Sequence, residues 1–451
     1  VTQARPVSGP CVIPSAAMPD PRHLATRRRV AKRLLPYLCL LYFVAYLDRT
    51  NIGIASLQMN QELGFSNEVY GFGAGIFFAG YFLLEIPGTL LVERWSARKW
   101  ISRIMITWGM VACLTGFMRT STEFYWLRFA LGLAEAGFFP GVLIYLTHWF
   151  LAEDRAKTNA MFTIAIPLST VFGSPISGWL LHFNWLGMSG WRWLLIIEGI
   201  PAILLGIVTI FYLTDRPAQA KWLDKEERDW LEAELNRERQ AVSAKHGHSI
   251  LGGLRHWRVL ALTSGYLLAV TTSYGISFWL PKFISQLSGL SNGIVSILAA
   301  LPYVAAAITV VIGGFWGDRT RKQRLFSTLG LIVSGTALAA TQTPGISVAL
   351  IILMFTVAQG AYMFGFPNFW ALPTKFLTGA AAAASVGMIN AFGNLGGFLG
   401  PYAVGFMSTR VGGYTAAFLF LAGCAISGAV LIWISGLHAK DIDTRGLVKN
   451  L

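Results

Sequence analysis

Apolar runs of about 20 residues, separated by short polar stretches, recur along the chain from Leu34 to Leu437. Each is long enough to cross roughly 30 Å of hydrocarbon as a helix. The pattern predicts twelve helical segments, at 34–56, 68–93, 100–118, 122–149, 156–181 and 191–213, then at 256–286, 291–316, 324–342, 347–373, 383–408 and 413–436. Runs this long and this uniformly apolar satisfy their backbone donors and acceptors internally, whereas a barrel strand is shorter and alternates. A single long polar stretch, 215–255, interrupts the series. Within it Lys225, Glu226, Glu227, Arg228, Glu232 and Glu234 interleave signs as on a solvated helix. The expected organisation is a disordered basic tail (1–33), a six-helix bundle (34–214), a cytoplasmic linker (215–255), a second six-helix bundle (256–437) and a cytoplasmic tail (438–451).

Composition agrees with a membrane protein: 54% of residues are hydrophobic, 13% are charged and the mean hydropathy is +0.55, where soluble domains carry nearer a quarter charged residues. The formal net charge of +14 could suggest nucleic acid. Its distribution points elsewhere. Basic residues cluster before the first segment (Arg27, Arg28, Arg29, Lys32, Arg33), after the second (Arg94, Arg98, Lys99), after the fourth (Arg155, Lys157) and after the eighth (Arg319, Arg321, Lys322, Arg324). The opposite connections hold isolated ones, such as Arg119, Arg192, Lys282 and Arg410. That bias places both termini in the cytoplasm and no nucleic acid among the partners. Residues 1–26 lack the apolar core of a cleavable signal peptide. The four cysteines, Cys11, Cys39, Cys113 and Cys424, show neither disulfide nor metal spacing. No nucleotide loop, clustered metal ligands or nucleophile with a base is visible, so neither an enzyme nor a cofactor is expected.

An internal repeat divides the chain. Glu93-Arg94-Trp95-Ser96-Ala97-Arg98-Lys99 follows the second segment, and Gly314-Phe315-Trp316-Gly317-Asp318-Arg319-Thr320-Arg321-Lys322 follows the eighth. The second copy resembles the G-x-x-x-D-R-x-x-R-K loop of the major facilitator superfamily, with one residue fewer between its two charged pairs; the first has one more there and departs at Thr89, Glu93 and Ser96. Two such loops at equivalent places suggest two parallel repeats, with Glu93, Arg94, Asp318 and Arg319 latching the cytoplasmic side. Further stretches narrow the choice: Tyr46-Leu47-Asp48-Arg49-Thr50-Asn51-Ile52, then Tyr81 with Glu85-Ile86-Pro87, then Arg128 through Gly141 with Glu135-Ala136-Gly137, then Asp215-Arg216-Pro217. Together they resemble the anion:cation symporter family of that superfamily, in its bacterial tartrate, phthalate and sugar-acid permease branch. The resemblance runs from Arg27 to about Leu437. It implies an all-α membrane protein of twelve helices in two pseudo-symmetric bundles, resident in a bacterial inner membrane and importing a small organic anion with protons by alternating access. A monomer in the lipid bilayer is expected. A sodium-coupled symporter, an exchanger or facilitator of the same fold, and a transport-dead sensor are the alternatives.

An ionised side chain near the bilayer centre costs about 2.5 to 3.5 kcal/mol on insertion scales, so one that persists there faces a cavity or a partner. Asp48, Arg49, Glu85 and Glu135 meet that condition. Arg49 is the candidate for the substrate carboxylate, because a guanidinium stays charged and offers two parallel donors; its alternative is a structural ion pair with Asp48 or Glu135. The resemblance gives this position that binding role. Asp48 and Glu135 are the candidate proton carriers, against structural hydrogen bonding. Glu85, one turn from Tyr81 and next to Pro87, reads as a structural group at a kink. Arg128 belongs either to the proton and gating pathway or to the interface by snorkelling. Tyr46, Asn51 and Tyr81 are expected beside the substrate. The second half offers Tyr274, Gln359, Asn368, Trp370, Asn390 and Asn394, of which Tyr274, Trp370, Asn390 and Asn394 are the candidate substrate contacts.

Overall fold

The computed structural model describes residues 21–94, 96–243, 254–373 and 379–436, and every regular element among them is helical. In chain order these are α1 (Pro21–Glu62), α2 (Asn67–Arg94), α3 (Ala97–Thr115), α4 (Ser121–Glu135), α5 (Phe138–Thr147), α6 (Ala152–Thr163), α7 (Ala165–Leu180), α8 (Gly190–Tyr212), α9 (Lys225–Ser243), α10 (Trp257–Ser288), α11 (Asn292–Thr320), α12 (Gln323–Ala340), α13 (Val348–Trp370), α14 (Gly379–Asn394), α15 (Gly396–Met407) and α16 (Thr415–Ile434). By length and composition, the described helices supply eight candidate membrane spans: α1, α4 with α5, α6 with α7, α8, α10, α11, α13 and α16. The other expected segments are helical too, as α2, α3, α12 and α14 with α15. Large apolar side chains such as Leu83, Trp126, Phe211 and Phe315 point outward from the bundle. That is unfavourable in water and ordinary against lipid, where helices gain nothing by hiding leucine from one another.

Three features differ from the expected spans. First, α1 starts at Pro21, so the basic stretch 27–33 that was assigned to a disordered tail is helical. Its charges have partners: Arg27 donates twice to Asp154 at 2.7 Å and pairs with Glu153, and Arg29 pairs with Glu227 at 2.9 Å. The tails beyond, 1–20 and 438–451, lie outside the described residues. Second, α1 continues to Glu62, where the carboxylate accepts from Ser189, from Trp191 at 2.7 Å and from Arg192 at 3.0 and 3.1 Å. Third, the fourth segment is two helices. Ala136 leaves the helical region (ψ 136°) and Gly137 takes φ 82°, which a side chain would resist; Pro140 then lacks an N–H for the rejoined ladder. The fifth and eleventh segments break at Ile164 and Leu395, equivalent places in the two halves.

The end that carries the α1–α2 connection is here called upper. There the N-terminal set (α1–α8) and the C-terminal set (α10–α16) meet through small residues. A Cβ on Gly71 would lie 2.5 Å from the Pro401 carbonyl oxygen, and one on Gly405 would lie 2.4 Å from that of Asn67. Asn67 completes the seam, donating to Ser408 at 3.0 Å and accepting from Lys282 at 2.6 Å. Tyr70 donates to the Phe278 carbonyl at 2.9 Å. At the lower end the linker helix α9 is tied to the N-terminal set by Arg29–Glu227 and Arg155–Glu238, both at 2.9 Å, and by His23 stacked on Trp230 at 4.1 Å.

Inside the N-terminal set α2 and α4 touch backbone to backbone, since a Cβ on Gly132 would stand 1.9 Å from the Phe77 carbonyl oxygen. A methyl group there must push two helices apart, and overpacking of this kind costs about 1 to 3 kcal/mol. Gly132→Ala is therefore expected to lower the unfolding temperature of the detergent-solubilised protein. Gly423→Ala, where nothing lies within 4 Å, should leave it unchanged. Equal temperatures for the two variants would refute this packing.

Candidate functional site

The break after α4 positions the site. Glu135 is the last residue of α4, and it points at Arg49 of α1. Arg49 donates through one terminal nitrogen to Glu135 Oε1 and through the other to the Tyr274 hydroxyl of α10 at 3.3 Å, so one guanidinium spans the two halves. Tyr46, one turn below Arg49, reaches the same Tyr274 hydroxyl at 3.1 Å. The rings of Tyr46, Phe77 and Tyr81 lie 5.3, 5.4 and 5.2 Å from the guanidinium carbon, close enough for cation–π attraction in a dry site. Arg49 Nε and Glu135 Oε2 are both buried without a hydrogen-bond partner. The pair thus retains a donor and an acceptor, which a small polar anion could engage.

Asp48 faces the other way, as successive helical residues must. Its carboxylate accepts from Trp108 Nε1 of α3 and from Asn51 Nδ2 at 3.1 Å. Asn51, expected to touch substrate, lies behind α1 with Asp48 rather than beside Arg49. Arg128 is almost fully buried, its guanidinium 5.0 Å from the Phe77 ring centre and donating to the Ala74 carbonyl at 3.4 Å. It does not snorkel, because the α2 backbone, not the interface, receives it.

The C-terminal candidates separate into two groups. Asn390 and Asn394 of α14 both donate to Glu85 of α2, Asn394 at 3.4 Å. Glu85 is therefore a bridge between halves. Asn368 is spent on the backbone, donating to the Gly313 and Phe364 carbonyls at 2.9 and 3.0 Å, which locks α13 to α11. Trp370 is half-buried, edge-on to Tyr266 at 5.0 Å. Asp318 and Arg319 are exposed at the end of α11, while the side chains of Glu93 and Arg94 lie outside the described residues. Asp215 instead holds this loop: it accepts from Ser96 at 2.8 Å and from the Arg98 N–H at 2.9 Å. The sequence reading missed Glu198 of α8, a buried carboxyl that Ser177 contacts at 2.6 Å. It is an acid within an apolar run, the same signal that exposed Asp48 and Glu135.

Residues 38–401 match the model of the Major Facilitator Superfamily. This chain belongs to that superfamily. A putative tartrate transporter of Agrobacterium vitis is 45% identical over 93% of each chain. The putative metabolite transport protein NicT of Pseudomonas putida is 38% identical over 90% of this chain and 93% of its own. Both agree with the anion:cation symporter branch that the motifs suggested. Among solved structures, a bacterial homologue of the human lysosomal transporter Spinster, inward-facing and unoccupied, superposes with a TM-score of 0.70 at 20% identity, covering 91% of this chain and 95% of that one. That likeness concerns the fold. The superfamily member described here is a membrane transporter, not an enzyme.

Proposed function

We propose that this transporter imports a small carboxylate, tartrate or a related hydroxy acid, in symport with protons across a bacterial inner membrane. The observation that carries the reading is the single guanidinium of Arg49, shared between Glu135 of one half and Tyr274 of the other. A substrate carboxylate competes with Glu135 for Arg49. Winning that contest leaves Glu135 without its cation in a dry site, where a proton then neutralises it, so anion and proton load together. Asp48 is the second proton carrier, and Tyr46, Tyr81, Tyr274 and Trp370 line the substrate's side. The tartrate name borne by the Agrobacterium relatives supports the substrate class.

Twelve crossings in two six-helix bundles, with residues 215–255 as linker and both termini cytoplasmic, accommodate the helices and the basic loops. The seam at the upper end then lies toward the outer face of a monomeric carrier. In proteoliposomes with the membrane potential clamped at zero, an inward proton gradient of one pH unit is worth about 1.4 kcal/mol per proton, so one-to-one symport should concentrate tartrate about tenfold. Uptake that ignores a proton gradient but follows a sodium gradient would refute the coupling.

A further inference from the structure

Behind α1 the N-terminal set holds a carboxyl that the transport reading does not use. Glu198 lies on the buried stripe of α8 that includes Trp191, Leu194, Leu195, Ala202 and Thr209, and it is 3% exposed. One oxygen accepts from Ser177 of α7 at 2.6 Å; the other, Oε2, is buried and forms no well-aligned hydrogen bond, with the Asn51 amide beside the carboxyl. The helices packed against α8 are α1, α3 and α7. From α1 the facing groups are Asn51 and Asp48, and from α7 the facing group is Ser177. From α3 comes the thiol of Cys113, which is turned to the Ile196 carbonyl at 3.4 Å. Among these no cation faces Glu198. The charged neighbour is another acid, Asp48, whose ionised form already takes the Trp108 and Asn51 donors.

A carboxylate in that position would be buried with one oxygen unmatched and a like charge across a single amide. One proton relieves both the uncompensated charge and the repulsion from Asp48. A merely structural acid would be expected to have a cation or enough donors for both oxygens. We propose that Glu198 is a third proton-binding carboxyl of the transport core, linked to Asp48 across Asn51. Resting on the proton-coupled reading above, the protein's proton inventory is then set by Asp48, Glu135 and Glu198 together, and a charge change at Asp48 is felt at Glu198.

The full chain, reconstituted in lipid near neutral pH, tests this by infrared spectroscopy of the protonated carboxyl C=O stretch, resolved by exchange into deuterium oxide. Glu198→Gln should lose one such band. Ser177→Ala should keep the band and move it, because the hydrogen bond to the same carboxyl is gone; this second variant decides the matter should Glu198→Gln fail to fold. In the same vesicles Glu198→Gln should accumulate less tartrate per pH unit, with an unchanged KM for counterflow. A Glu198→Gln spectrum identical to that of the unsubstituted protein, a Ser177→Ala band that stays in place, or undiminished accumulation after loss of the band would each overturn the proposal. Absence of any proton-driven uptake in the unsubstituted protein would instead defeat the coupling reading, and the spectra alone would then decide the proton site.

Discussion

Arg49→Ala is expected to abolish substrate binding and transport. The guanidinium is buried, it is the cation on which Glu135 and Tyr274 converge, and Tyr46, Phe77 and Tyr81 wall it from the rest of the bundle. Truncating one partner of a buried charge-assisted contact costs about 2 to 5 kcal/mol, equivalent to about 30- to several-thousand-fold in affinity. Arg49→Lys separates charge from geometry. An ammonium keeps the positive charge but presents no planar fork, so affinity should fall by about ten- to a hundredfold rather than vanish. Thermal stabilisation by tartrate reads this directly, since a ligand that binds only the folded state raises the melting temperature with concentration. Because Arg49→Ala also leaves Glu135 without its cation, the unliganded variant should itself melt lower. Tartrate stabilisation and uptake that survive in Arg49→Ala would remove Arg49 from the binding site.

The second large effect is expected at the acid. Glu135→Gln preserves shape and one hydrogen-bond acceptor for Arg49 while removing both the charge and the exchangeable proton. Counterflow, in which labelled substrate exchanges for unlabelled with no net movement of protons, should persist within a few-fold. Accumulation against a gradient should collapse, because no proton leaves with the substrate to drive it. The double variant Asp48→Asn, Glu135→Gln should behave the same way at any imposed gradient. The about tenfold concentration expected per pH unit for one proton then shrinks to equality inside and out. Proton-driven accumulation persisting in the double variant would show that these carboxyls do not carry the coupling proton.

What could be read from residues alone follows from how local each signal is. Asp48, Arg49 and Glu135 were visible because a charge within an apolar run demands a partner, and the structure supplies one for each. Glu198 carries the same signal, and only its lack of a motif kept it out of the first set. The division of α1's faces, with Arg49 toward Tyr274 and Asp48 toward Trp108, follows from helical geometry. Asn51, three residues after Asp48, obeys the same geometry, which puts it on the Asp48 side and nearly opposite Arg49; placing it beside the substrate overlooked that spacing. Contacts between the halves were not legible: nothing near Glu85 announces that Asn390 and Asn394, some three hundred residues on, will meet it. Asn368, left out of the candidate contacts, shows the ambiguity of such groups. An amide inside a membrane helix can serve a ligand or a neighbouring backbone equally well, and here the carbonyls of Gly313 and Phe364 claim it. The split of the fourth segment at Ala136–Gly137 was written in Gly137 and Pro140, yet hydropathy averages over such a break.

The glycine seam at Gly71 and the Glu85 bridge both belong to α2, and together they make that helix a lever. The pivot is the backbone apposition with Pro401 and Gly405; the far arm carries a carboxylate held by two amides. At the usual helical rise the arm is about 21 Å long, so a tilt of about 10° at the pivot moves its tip by about 4 Å, more than any hydrogen bond can stretch. A tilt of that size would therefore part Glu85 from both amides. Both Glu85 contacts would be lost together in such a tilt, so the bridge, placed far from the seam, resists rocking of the halves out of all proportion to its two hydrogen bonds.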